Sequence, residues 1–484
     1  MKIKKITNCI LISLGLMTLS CENAYEINPD FLLTEESTIT SVEELERLLL
    51  GTYDSGLGFE PAVSANMYPS DNLVIGSGNN GQGIFGLLWQ YTSNATGSIS
   101  DGIWNSAYGN FYAANRIIER AETFDVDESQ EALRDQLIAE ALGIRAYELL
   151  ELLRFYSPTY DADSPSGYIV TEPLAFNSDN IQSFPRNTVG EIAAQIREDI
   201  TRARQLIGEQ DNVYRISDLA LQAILARLDL YINTPESLSE AITLTSNILI
   251  EKPLAAPDDY FSMFRDDFES SEVIFKIQRD LQDGRIGQNF IIPSGSIYIS
   301  MSNGLYDILN DDDIRKEVLL DNETEVNSTT VESADEYVVG KYIGRDANFL
   351  GLQDYILFRS SEMLLIRAEA RARTNSLSLA QDDIELLRAT RGSTTTTPNY
   401  GNMQTALNDI LLERRIELAY EGHRFLDLKR FGLPVVRTDE DASLNRGAQT
   451  LNAGDFRFTF PIPQAEINRN DGISDNDQNP GYNN

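Results

Sequence analysis

The chain is 484 residues long and carries 39 Lys+Arg against 75 Asp+Glu, a formal net charge of −36. That field excludes nucleic acid and anionic lipid as partners of the general surface, because both would be repelled. One histidine and two cysteines exclude a zinc site built from His and Cys, and a disulfide framework as well. Hydrophobic residues at 42% are enough for a large core.

The chain opens on a basic stretch (Lys2, Lys4, Lys5), an apolar run from Ile6 to Leu19, and then Ser20 and Cys21. The run is too short to span a bilayer and reads as a secretory signal over residues 1–20. Thr18-Leu19-Ser20-Cys21 resembles a bacterial lipobox, which makes Cys21 the expected lipidation site and new N-terminus. Ordinary cleavage near Ser20 is the alternative. Acyl chains on Cys21 would hold the protein to a membrane through the anchor alone.

Residues 21–484 read as a single domain, mainly α, because no linker divides them. Ile138, Leu142, Ala146, Leu149 and Leu153 share one stripe, with Glu140, Glu148 and Glu151 opposite, a helical period. Leu221, Ile224, Leu225, Leu228 and Ile232 repeat that spacing in a helix beginning near Ser217. Comparable patterns cover 41–54, 107–123, 188–207, 236–250, 359–375, 378–391 and 404–421, and Gly422 is a candidate stop for the last. The short links predict antiparallel helix pairs of tetratricopeptide type, although a 34-residue period is not clean. Two stretches break the pattern. Residues 55–103 hold nine glycines with many Ser and Asn, and residues 252–357 mix Asp, Asn and Gly clusters with minor β runs at Val273–Ile277, Phe290–Ile292 and Ser296–Ser300. Irregular stretches of this length are usually functional.

The string Leu411-Leu412-Glu413-Arg414-Arg415-Ile416-Glu417-Leu418-Ala419-Tyr420-Glu421-Gly422-His423-Arg424-Phe425-Leu426-Asp427-Leu428-Lys429-Arg430 resembles the signature of the SusD/RagB family, surface lipoproteins of Bacteroidetes that capture nutrients. Phe460-Pro461-Ile462-Pro463-Gln464-Ala465-Glu466 and Gln478-Asn479-Pro480-Gly481-Tyr482 resemble the family's ending, so the motifs span 411–482. Ala139-Glu140-Ala141-Leu142-Gly143-Ile144-Arg145-Ala146-Tyr147, Ala223-Ile224-Leu225-Ala226-Arg227-Leu228-Asp229-Leu230-Tyr231 and Ile366-Arg367-Ala368-Glu369-Ala370 resemble its repeat helices. The resemblance implies a SusD-like fold and a shallow ligand site in the irregular loops. It also implies a SusC-like TonB-dependent transporter as partner.

Glu413, Glu417 and Glu421 stand four residues apart and would repel one another on a helix unless basic groups flank them. Arg414, Arg415, Arg424 and Lys429 are the candidates, in a structural clamp with no catalytic part. His423, the one imidazole, lies inside this string and is expected to pack or cap. Sugars lay C–H faces on aromatic rings and give hydroxyl hydrogen bonds to amides and carboxylates. Trp89 is therefore the first choice of stacking platform, with Tyr91, Tyr68, Asp71 and Asn72 around it in sequence and Tyr298, Asn303 and Tyr306 in the second irregular stretch. Trp104, opening a run with Tyr108, Phe111 and Tyr112, is read as core. The runs Asp311-Asp312-Asp313, Asp266-Asp267 and Asp161-Ala162-Asp163 could offer oxygens to calcium, but none has EF-hand spacing, so a structural calcium is possible and not indicated. No catalytic motif appears. The expectation is a non-catalytic binder of oligosaccharide with no cofactor. A peptide binder of RagB type is the alternative, and a helical glycosidase with paired carboxylates is a distant third.

Overall fold

The computed structural model describes residues 39–482 apart from 80–84, 97, 172–182, 211, 268, 292–296, 322–324, 327–328, 331–336, 345–350 and 444–448. The signal segment and Cys21 lie outside the described residues. Helices of eight residues or more are α1 (Val42–Asp54), α2 (Phe59–Met67), α3 (Ser98–Thr123), α4 (Glu128–Tyr156), α5 (Val189–Leu206) and α6 (Asp218–Ile232). They continue with α7 (Pro235–Glu251), α8 (Pro257–Arg265), α9 (Ser360–Arg373), α10 (Leu377–Thr390), α11 (Met403–Glu417) and α12 (Arg424–Phe431). The fold is mainly helical, as the apolar spacing predicts.

Polar side chains at the starts set where several helices begin. Thr188 and Glu191 close a capping box at α5, and Ser217 accepts from Ala220 N at α6. Thr234 and Ser237 close a second box at α7, with Pro235 in the first turn, where a missing N–H costs nothing. Helix α3 packs on α4, α4 on α5, α6 on α7, α7 on α9, and α9 on both α10 and α11. These contacts make a stack of helix pairs around a core running from Val42 to Ile473. A second cluster, with Leu364, Leu365, Ile384, Leu387 and Ile410, fills the space between α9, α10 and α11.

Two expectations need correction. Helix α11 ends at Glu417 rather than 421, because Tyr420 and Gly422 adopt φ of 66° and 80° in the turn that follows. Side chains take the carbonyls exposed there: Arg359 Nη2 donates to Glu417 O at 2.7 Å, and Lys341 Nζ donates to Glu417 O at 3.0 Å and Ala419 O at 3.2 Å. The stretch 55–103 is less irregular than its glycines imply, since it contains α2 and the first residues of α3.

The strands are short: β1 (Leu73–Ile75), β2 (Val273–Ile277), β3 (Ile299–Met301), β4 (Glu325–Val326), β5 (Thr329–Thr330), β6 (Tyr337–Val338), β7 (Tyr355–Arg359), β8 (Val435–Val436) and β9 (Thr450–Leu451). The predicted run at Val273–Ile277 is β2, the run at 296–300 shifts to β3, and Ile291 forms only an isolated bridge to Ile297. Strands β1, β3 and β6 form one antiparallel sheet, with Leu73 opposite Met301 and Met301 opposite Tyr337. This sheet joins the two irregular stretches.

The Glu413, Glu417 and Glu421 column is neutralised by arginines other than those expected. Arg391 Nη2 reaches Glu417 at 2.9 Å and Glu272 at 2.8 Å, and Arg359 Nη1 reaches Glu417 at 2.6 Å and Glu272 at 2.7 Å. Arg315 pairs with Glu413, and Arg388 holds Glu413 at 2.8 Å. Arg359 Nε and Lys341 Nζ hold Glu421 at 2.7 Å and 2.5 Å. The basic residues within the string act elsewhere. Arg414 pairs with Asp427 at 2.9 Å, Arg424 with Asp71 at 2.7 Å, and Arg415 Nε donates to Asn72 at 2.8 Å. Lys429 Nζ donates to Ser157 O at 2.6 Å.

Burial alone would raise the Glu417 carboxyl, but Arg391, Arg359 and Arg315 outweigh it and hold it well below the usual carboxylate range. Glu417→Gln leaves those guanidinium groups buried and under-paired, so it should cost about 3–5 kcal/mol at pH 7 in denaturant unfolding. A group with a depressed folded pKa stabilises above its unfolded value and loses that effect as pH falls. The gap between wild type and Glu417→Gln should therefore be full above the ordinary value of 4.5 and shrink as pH falls below it. A gap independent of pH would contradict the ion-pair origin.

Candidate functional site

The sheet β1–β3–β6 gathers the residues that the sequence singled out. Asn72 O accepts from Ser302 N at 3.1 Å, and Asp71 O accepts from the Ser302 hydroxyl at 2.8 Å, tying the first irregular stretch to the second. Asp71 then receives both arms of Arg424, at 2.7 Å and 2.8 Å. Burial works to raise this carboxyl, yet Arg415 and Arg424 hold it well below the usual range. Asn303 donates to Asp441 Oδ1 from its backbone N and its side-chain amide, both at 2.8 Å. Asp71 and Asn72 are buried and engaged, so they brace the site from below and offer no free group to a ligand.

Trp89 requires the main correction. Expected as a stacking platform, it is 1% exposed. The Arg437 guanidinium carbon lies 3.5 Å from its ring centroid, and Arg437 Nη1 donates to Trp89 O at 2.9 Å. Tyr91, with φ of 56°, is buried beside it and donates its hydroxyl to Pro69 O at 3.0 Å. Tyr68 is buried in the same region. The aromatic cluster that looked like a loop surface is therefore interior, closed by an arginine cation–π contact. Trp104 is interior too, as its apolar neighbours predict: Tyr108, Tyr156 and Tyr168 pack around it, and its Nε1 donates to Glu466 at 3.3 Å.

Three of the singled-out residues remain half-exposed: Tyr298, Asn303 and Tyr306. Tyr298 enters β3, its carbonyl accepting from Gly76 N at 3.0 Å. Ser302 caps the single helical turn Asn303–Tyr306 by accepting from Leu305 N at 3.1 Å. That turn brings Tyr306 back over Tyr337, which β6 places opposite Met301. The two rings stack at 3.8 Å and 7°, and both are half-exposed. Lys316 Nζ sits 4.6 Å from the Tyr306 ring and pairs with Asp311 at 2.5 Å, with Asp307 exposed next to Tyr306. The rings cover one face of each other and Lys316 lies over Tyr306, and the part of the pair that stays exposed, bordered by Asp307 and Asp311, suits an uncharged polar ligand that offers C–H groups and hydroxyls. Tyr337 and Lys316 were not singled out by the sequence, because only the strand register and the turn bring them to Tyr306.

The acidic runs have protein partners. Asp313 caps the short helix Ile314–Leu319 and holds Arg315 at 2.6 Å, Asp161 accepts from the Thr159 hydroxyl at 2.9 Å, and Asp267 accepts from Asp354 N at 3.0 Å. Among the described residues, no group of three or more metal-ligating side chains converges. His423 occupies the N-cap position of α12 without a side-chain cap bond. Burial, and then Arg227 and Arg414, push its pKa well below the ordinary value, so it is a neutral interior imidazole. Among the described residues, no helix is long and apolar enough to cross a membrane.

The model of a family described as starch-binding and associating with the outer membrane matches residues 27–230, and that of the SusD family matches 314–482. The chain belongs to the SusD/RagB family. The SusD-like protein P38 of Formosa agariphila is 25% identical to it over 482 aligned residues, 88% of this chain and 90% of the relative. The SusD-like protein P2 of the same organism is 24% identical, over all of both chains. Among solved structures, a putative sugar binding protein from Bacteroides vulgatus shares 23% identity over 92% of this chain and 99% of its own, with a TM-score of 0.76. Surface glycan-binding protein A from Bacteroides fluxus shares 20% over 92% and 100%, with a TM-score of 0.70. At these identities the structural likeness establishes the SusD-type fold.

The geometry separates two kinds of aromatic. Trp89→Ala empties a packed interior position and should cost about 3–5 kcal/mol, read as a large drop in thermal midpoint. Tyr306→Ala removes a half-exposed ring and should change stability by about 1 kcal/mol or less. Equal losses in the two variants would contradict this assignment.

Proposed function

We propose that this protein is a non-catalytic binder of oligosaccharides, lipid-anchored through Cys21 on the outer membrane, that passes its ligand to a SusC-like TonB-dependent transporter. The observation that carries the reading is the half-exposed Tyr306–Tyr337 stack at the junction of the two irregular stretches. It provides partly exposed aromatic surface beside an ammonium and carboxylates, a combination that sugars use. The starch-binding description of the matching family and the similarity to a putative sugar binding protein and to a surface glycan-binding protein support a glycan as the ligand class. Binding is favoured over turnover because the signature carboxylates Glu413, Glu417 and Glu421 are buried in ion pairs, unavailable as acid or base.

Peptide is the second reading. What favours it is the burial of both tryptophans, which leaves tyrosine as the platform residue among the described residues. Calorimetric titration with a panel of neutral oligosaccharides and with a peptide pool separates the two. Glycan binding that falls at least about tenfold in Tyr306→Ala is expected, the scale of losing one ring contact in a small site. Binding of peptides alone would overturn the glycan reading. Surface placement predicts that protease added to intact cells degrades the protein, and that Cys21→Ala releases it from the membrane fraction. Full protection of the wild type would count against display on the outside.

A further inference from the structure

A cavity of about 510 Å³ opens between the segment after α4, the end of α6, α12 and the C-terminal segment around Phe456. Its size falls within the range of small-molecule sites, about 300–1,000 Å³. It shares no residue with the Tyr306–Tyr337 site. Tyr160, Tyr231 and the 41%-exposed Phe456 supply an aromatic lining, while Thr159 and Asn233 add polar groups.

The charges around this cavity are almost all spoken for. Arg430 pairs with Glu369 and holds Asp427 at 2.9 Å, Arg373 holds Glu369 at 2.8 Å, and Asp455 is bound by Arg457 at 2.6 Å. Two groups remain. Asp161 is exposed at the rim and accepts from the Thr159 hydroxyl. Lys429 is half-buried and pairs with no carboxylate among the described residues. Its Nζ donates to Ser157 O at 2.6 Å and lies 4.9 Å from the Tyr160 ring, which leaves donor capacity toward the cavity. In a chain of net charge −36, a desolvated ammonium without a counter-ion is an unusual investment. Burial lowers its pKa to about 7, so the amine is part-neutral near pH 7, and a carboxylate placed beside it would favour its charged form.

We infer that this cavity is a second ligand subsite, one that takes an acidic sugar of the uronate class, its carboxylate on Lys429 and its ring against the aromatic lining. The inference rests on the glycan reading proposed above and adds a charged ligand to it. The overall acidity of the surface repels polyanions, so a single carboxylate meeting the Lys429 amine is the form this chemistry can take.

The test titrates the full chain with methyl glucuronide and, as the uncharged counterpart of the same shape, methyl glucoside. Glucuronide is expected to bind at least about tenfold tighter, the scale of one charge-assisted hydrogen bond. Lys429→Met should remove that preference and leave the glucoside unchanged. Asp161→Asn, an exposed rim change, should strengthen glucuronide binding about two- to fivefold by removing a repelling charge. Equal affinity for the two probes, or an unaltered preference in Lys429→Met, overturns the subsite. Should Lys429→Met not fold, glucuronide affinity that is unchanged or weakened in Asp161→Asn overturns it equally. Neutral oligosaccharides that still bind through Tyr306 while glucuronide does not would sink this inference alone. No binding of any glycan would sink the parent reading as well.

Discussion

Glu417 is fully buried, with Arg391 and Arg359 on its carboxylate and Arg315 alongside. Each of these groups is at most 1% exposed. An isolated carboxylate at that depth would be far too costly to ionise, and the guanidinium groups would be equally costly alone. Each is tolerated only because the others arrive from different parts of the chain: Glu272 before β2, Arg315 from the short helix 314–319, Arg359 at the end of β7, and Arg391 after α10. The network thus demands that the helix stack and the irregular stretches be docked together. A hydrophobic filling of the same volume could match its stability but would accept many registers, whereas paired forks accept few.

The helices were legible because apolar spacing is local information. The periodicity and the caps at Thr188, Ser217 and Thr234 place α5, α6 and α7 within a residue or two, whereas the stripe from Ile138 to Leu153 marks only the inner part of α4, which begins ten residues earlier at Glu128. Charge partnership is not local. The Glu column told of a need for cations, and the nearby Arg414, Arg415 and Arg424 were the wrong ones, since the true partners are set by tertiary docking. The same limit misled the reading of Trp89. Its glycine-rich surroundings imply a loop surface, and the residue that covers it, Arg437, lies 348 positions further along. Tyr306 is singled out by its place in the second irregular stretch, but Tyr337 becomes its partner only through the register of β3 with β6.

The site that results is spare. The base of the candidate site is made of engaged groups (Asp71, Asn72, Asp441), and its partly exposed aromatics are Tyr306 and Tyr337. Hydrogen bonds and ion pairs of this kind hold the backbone beneath the rings in place, so a ligand bound there would itself carry most of the ordering cost. The interior tryptophans, by contrast, serve packing. Scarcity of a residue type therefore says little about where it is placed.

The last residues close what the first ones begin. Gln478 hydrogen-bonds both the N–H and the carbonyl of Ile462 at 2.8 Å, and Asn479 Nδ2 spans Tyr156 O at 2.9 Å and Phe460 O at 2.6 Å. Asp71, near the beginning, waits for Arg424, and Arg359 and Arg391 wait for Glu417. Without the segment that begins at Glu413, Arg359 and Arg391 would keep Glu272 but lose Glu417, and Asp71 would lose both of its arginines, so the helix stack that precedes this segment depends on it for its stability.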